Sequence, residues 1–140
     1  MQIDLLYPVF ALVGLTFAVW LRLFMVRIPL ILSGQIDAGY YEVRDAPPPP
    51  PAERAPTHHL ANLTEMPVLF YALAGLVLAC NAVDPLMVTL AWAYAGFRGA
   101  HALIHLTYNV PNHRFVPYFL SCAVLLVMWL RFFAWALAQA

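Results

Sequence analysis

Lysine is missing from this chain, and charged residues of any kind make up only 10% of it. Seven arginines balance seven acidic residues. No basic face is therefore offered to a polyanion, and nucleic-acid binding is excluded on charge. Only two cysteines occur, Cys80 and Cys122, both in apolar stretches and without a CxxC pair. That excludes a disulfide scaffold or a thiolate-rich metal knuckle and predicts buried free thiols. Polar surface is also scarce: 64% of the residues are hydrophobic, too many for a water-soluble domain of 140 residues. The beginning, Met-Gln-Ile-Asp, lacks the positive start of a signal peptide, and its apolar run continues without a small-residue cleavage site, so it reads as a retained span.

What remains is four long apolar stretches. They predict an all-α integral membrane four-helix bundle with up-down topology, a single domain over 1–140 with spans at about 5–32, 60–82, 85–108 and 114–138. Ser33-Gly34 ends the first stretch. Residues 35–59 are charged and proline-rich, with Pro47 to Pro51 consecutive, and predict an extended polyproline II loop. Asp84-Pro85 has the form of an N-cap followed by proline at the first helical position. Pro111 predicts the break between the last two spans. Arg27, Arg44, Arg54 and Arg114 lie near the loops 35–59 and 109–113, and only Arg131 lies near the other side. By the positive-inside rule, both loops are expected in the cytoplasm.

Ionisable groups at membrane depth are costly and mark function. His58, Asn62 and Glu65 are spaced i, i+4, i+7, which stacks them on one helical face, and Pro67 follows to kink that helix. Arg98, His101 and His105 repeat the arrangement in the third span, and Arg114 and Tyr118 share a face of the fourth. One reading is a buried network in which Glu65 neutralises Arg98 or Arg114. A second is a metal site, His101 and His105 with Glu65 opposite. With one HxxxH pair and arginines nearby, no metal is expected.

The run His58-His59-Leu60-Ala61-Asn62-Leu63-Thr64-Glu65-Met66-Pro67, with Val68-Leu69-Phe70-Tyr71 behind it, resembles the second-helix signature of the MAPEG family, the membrane-associated proteins of eicosanoid and glutathione metabolism. Arg98-Gly99-Ala100-His101-Ala102-Leu103-Ile104-His105, with Arg114 nine residues on, is similar to that family's second motif. The nearest likeness is to bacterial members, which implies a bacterial inner membrane. The resemblance further implies a homotrimer with sites between subunits, glutathione as co-substrate, and a lipophilic small molecule or membrane lipid as partner. Arg114 then matches the residue that activates the thiol, and Asn62 and Glu65 hold the glutathione backbone. His58, Arg98, His101, His105 and Tyr118 complete the contacts. Where relatives carry arginines for the glutathione carboxylates, this chain has Asp37 and Ala61, with Arg27 and Arg54 nearby. The implied function is a membrane thiol transferase or peroxidase acting on lipophilic electrophiles. The alternative is a non-catalytic lipid-binding protein of the same fold.

Overall fold

The computed structural model describes residues 2–36, 39–40 and 50–139. They form an all-helical, up-down membrane bundle. A 3-10 turn, Ile3–Leu5, leads into α1, Leu6–Leu32; α2, Pro51–Thr64, and α3, Met66–Ala79, are two halves of one broken rod; α4, Pro85–Leu106, and α5, Pro111–Leu137, complete it. Three segments, Ile3–Leu32, Pro51–Ala79 and Pro111–Leu137, are long and apolar enough to cross a membrane. The fourth rod, α4, has 22 residues, about 33 Å at the helical rise. It is more polar because it carries Arg98, His101 and His105, all turned inward.

Proline starts these helices more than it stops them. Pro51, Pro85 and Pro111 each occupy the first helical position, where the missing N–H costs nothing and the fixed φ is already helical. This moves two expected boundaries. The second rod begins at Pro51, not near Leu60, so residues 51–59 of the expected loop are helix. Arg27 near the end of α1 pairs with the buried Glu53, at 2.6 Å, and so ties the early turn of α2 to the bundle. Of the proline tract, Pro50 has the extended φ −51°, ψ 148° of polyproline II; Pro47 to Pro49, Arg44 and Asp37 lie outside the described residues. Likewise α5 begins at Pro111, three residues before Arg114. At the end of α1, Gly34 adopts φ +72°, a left-handed value that reverses the chain after Ser33.

The rods bury narrow stripes and show apolar side chains outward. In α1 only Pro8, Leu12, Val19 and Leu23 are buried, while Phe10, Phe17 and Met25 are exposed. In water such a surface would aggregate; in lipid it is the natural outside. The inside is close-packed: Leu73 and Val77 of α3 belong to one buried apolar cluster with Ala91 of α4, and the Phe70 and Tyr94 rings stack at 4.7 Å. α4 packs most extensively on α5 and also touches α1 and α2. Its small buried residues Ala91, Ala95 and Ala102 allow that closeness. Both thiols are free, but neither is buried: Cys80 is exposed at the end of α3 and Cys122 is half-buried, because the apolar stretches holding them face outward there.

At the end of the bundle away from the long loop, Asp84 caps α4, accepting from the Met87 N–H at 2.9 Å and from Arg131 of α5 at 2.7 Å. Partial burial pushes this carboxyl up, but the Met87 N–H and the Arg131 guanidinium outweigh it and hold the acid below its usual value. Stability from a depressed acid is present above the unfolded value, about 3.9, and is lost as pH falls through the lower folded value. Asp84→Ala is therefore expected to cost about 1 kcal/mol at neutral pH, mostly from the cap. Asp84→Asn should cost less, because the exposed ion pair contributes little. Thermal unfolding in detergent at pH 7 and at pH 3 checks both: the Asp84→Ala deficit should shrink at the lower pH.

Candidate functional site

The polar groups gather at the other end, where α1 finishes and α2 begins. The break between α2 and α3 falls at Glu65, with φ −93° and ψ −97°. Pro67 causes it, since it has no N–H for the carbonyl of Leu63 and its ring crowds the preceding turn. A broken helix leaves carbonyls without partners, and hydrocarbon supplies none. Arg98 of α4 answers this: its Nη2 donates to the Asn62 carbonyl at 2.8 Å. A cation at the C-terminal end of α2 is also favoured by the helix dipole. Arg98 is wholly buried, and its Nε and Nη1 have no hydrogen-bond partner among the described residues. Its Cζ lies 5.5 Å from the Tyr118 ring, a cation–π contact.

With Arg98 placed, the rest of its face follows. His101 and His105, three and seven residues on, are also buried. His59 of α2 meets them: its Nδ1 lies 3.2 Å from Nδ1 of His105, and its ring stacks on His101 with centroids 5.3 Å apart. His101 Nδ1 lies 2.8 Å from the backbone carbonyl of Arg114; a carbonyl only accepts, so His101 carries its proton on Nδ1. That bond ties α4 to the first turns of α5. The Arg114 side chain reaches back, Nη1 donating to Asn109 Oδ1 at 2.6 Å. Asn109 itself has φ +50°, the left-handed turn between α4 and α5.

Asn62, His101, Arg114 and Tyr118, with Pro111 and Phe115, line a cleft of about 310 Å³. Four of the eight expected site residues thus share one cavity. Arg98 and His105 lie behind it, buried. His58 and Glu65 are exposed on the outer side of α2, while Asn62 between them is half-buried and lines the cleft. Among the described residues Glu65 makes no ion pair with Arg98 or Arg114, and the expected neutralisation is not seen. His58 instead lines a neighbouring cleft with Pro51, Arg54, Ala55 and Asn109. Asn109 stands at the boundary of the two. A larger cavity of about 550 Å³ lies at the far end beside Asp84 and Arg131, but apart from that pair its walls are apolar.

Sequence reasoning put His58 among the site residues and gave His59 no role, whereas the structure turns His59 into the interior and leaves His58 exposed. The signal was available: Glu53, Pro56, His59 and Leu63 recur at helical spacing and are the buried residues of α2. Reading 51–59 as a loop concealed it. Arg27 is likewise committed to Glu53, with Nε donating at 2.8 Å, so it is not a spare cation for a ligand.

Fold and site together define an integral membrane helix bundle with a partly enclosed, arginine-bearing cleft at one end. Its sequence matches the MAPEG family over residues 5–134, nearly the whole chain, and the protein belongs to that family. No curated protein and no solved structure gives a significant match.

The site rests on Arg98. Arg98→Ala is expected to destabilise the bundle by about 2–4 kcal/mol, from the cavity it leaves and the Asn62 carbonyl it strands. Unfolding in a detergent series measures this. Arg98→Lys should recover less than half, since a point charge on a shorter reach cannot replace the planar fork.

Proposed function

We propose that this protein is a membrane thiol transferase or peroxidase that presents glutathione, or a similar thiol, to lipophilic electrophiles. The observation that carries this reading is the cleft in which Arg114 stands with Asn62, His101 and Tyr118. A free thiol with a pKa near 8.5 is mostly protonated at neutral pH. A guanidinium in the first turns of α5, where the helix N-terminus adds positive potential, favours the thiolate. The sulfur then gives its electron pair to an electrophilic carbon, and the leaving group departs with its own pair. With a hydroperoxide the sulfur takes the distal oxygen and releases an alcohol, and a second thiol closes the disulfide and releases water.

Roles follow from position. Arg114 is the catalytic residue, and Asn62, His101 and Tyr118 hold the thiol substrate. Arg98 and His105 act through their neighbours, since both are buried behind the cleft wall. Arg54 supplies a cation, and His58 an imidazole, to the adjoining recess for a substrate carboxylate. His58 and Glu65 face outward from the protomer, which suits a homotrimer in which a neighbouring subunit closes the site. The arginines near the loops 35–59 and 109–113 support a cytoplasmic side for them, and the membrane we propose is a bacterial inner membrane. A second reading, a lipid-binding protein without chemistry, is favoured by one observation: Arg27 is already paired with Glu53 and leaves fewer cations for glutathione.

Calorimetric titration of glutathione into the detergent-solubilised protein should show saturable binding that Asn62→Ala weakens. Arg114→Ala should leave the oligomer intact and lower thiol turnover on a lipophilic electrophile about 100-fold or more, the scale of losing one preorganised charge-stabilising donor. Unchanged turnover in Arg114→Ala would remove the mechanism. Lipid binding without thiol binding would establish the second reading.

A further inference from the structure

We infer that His59, His101 and His105 form a binding site for one transition-metal ion, with zinc as the simplest occupant, at the polar end of the bundle. The inference stands on the histidine cluster and is independent of which thiol the cleft accepts. One nitrogen from each ring can be chosen so that all three lie within 4.8 Å of one another, and all three residues are buried.

Three features of the cluster go beyond proximity. First, a tetrahedral ion with Zn–N bonds of about 2.0–2.1 Å sets its ligand nitrogens about 3.3–3.4 Å apart. His59 Nδ1 and His105 Nδ1 are already 3.2 Å apart, close to that spacing. Second, Nε2 of each of the three rings is buried with no hydrogen-bond partner among the described residues. The His59–His105 contact engages only Nδ1 on each ring, and an ion held by those two Nδ1 atoms would give the orphaned Nε2 of His101 a partner. Third, His101 donates Nδ1–H to the Arg114 carbonyl, which leaves Nε2 as a bare lone pair held in a fixed direction. Anchoring the far nitrogen of an imidazole on a backbone carbonyl is how metal-binding histidines are oriented.

The opposing term is charge. Arg98 and Arg114 both lie close enough to act on the cluster electrostatically and repel a cation, and no carboxylate belongs to the group. Their field also selects the fourth ligand: beside two guanidiniums the open position favours an anion, hydroxide or a thiolate, which offsets the charge of the ion. His101 belongs both to the cluster and to the 310 Å³ cleft, so that position has a route to the outside. An all-imidazole set suits zinc, copper, nickel or iron and not calcium or magnesium.

The test uses the full chain in detergent, stripped with a chelator and exchanged into metal-free buffer. Zinc titrated against a chromophoric competitor should bind at one ion per protomer. His59→Ala and His105→Ala should each weaken it by roughly 100-fold or more, since even outer-sphere partners of a metal are worth 10–100-fold. His113→Ala, at an exposed histidine outside the cluster, should bind as the parent does. Should either cluster variant fail to fold, cobalt(II) bound to the parent decides: intense visible bands of four-coordinate cobalt are expected. Absence of stoichiometric zinc binding, a weak six-coordinate cobalt spectrum, or undiminished binding in a folded His59→Ala would each overturn the site.

Discussion

The hydrogen bond from Arg98 to the Asn62 carbonyl is the constraint on which the polar end of this bundle depends. In a membrane, a backbone carbonyl released by a helix break must be satisfied by the protein itself. Pro67 makes the break between α2 and α3, and the Arg98 guanidinium reaches it from α4 at 2.8 Å. One contact thereby sets the rotation of α4 against α2. A one-residue slip would turn α4 by about 100°, move the guanidinium off the carbonyl and swing His101 and His105 away from His59. Buried charge is weak evidence of net stability, and here its consequence is register, the role best attested for buried polar groups.

The other two anchors work at the two ends. Arg27–Glu53 holds the first turns of α2 against α1, and Asp84–Arg131 joins the start of α4 to the far part of α5. They differ in kind. Glu53 is almost completely enclosed, while Asp84 and Arg131 are more than a third exposed and contribute mainly through the cap on α4. Between these ends the packing is apolar and close, with alanines on α4 setting the separation from α5 and aromatic rings filling the interior. Apolar side chains outside the stripes contribute contact with lipid and not core.

The cleft and the histidine cluster share a wall. His101 faces the cavity of Arg114 on one side and the rings of His59 and His105 on the other, and its Nδ1 is fixed on α5. A ligand in the cleft that shifted α5 would therefore disturb the cluster, and an ion in the cluster would stiffen the cleft. The two adjoin through one imidazole and one backbone carbonyl.

The amino-acid sequence by itself determined the lipid-facing character, the four rods, the Asp84–Pro85 helix start, the reversal at Gly34 and the family, because these depend on local composition, spacing and contiguous motifs. It also placed Arg98, His101 and His105 on one face, since helical periodicity relates residues within a single rod. Proline was ambiguous at sequence level: the same residue that ends a helix also begins one, and in the structure 51–59 is helix, joined to α1 by the Arg27–Glu53 pair. Whether Glu65 meets an arginine, and that Asn62 shares a cleft with Arg114, were decided by the tertiary structure alone. Those relations join residues on different rods, and the rotation of one helix against another is set by contacts such as Arg98 with a kinked backbone, which no periodicity within either helix encodes.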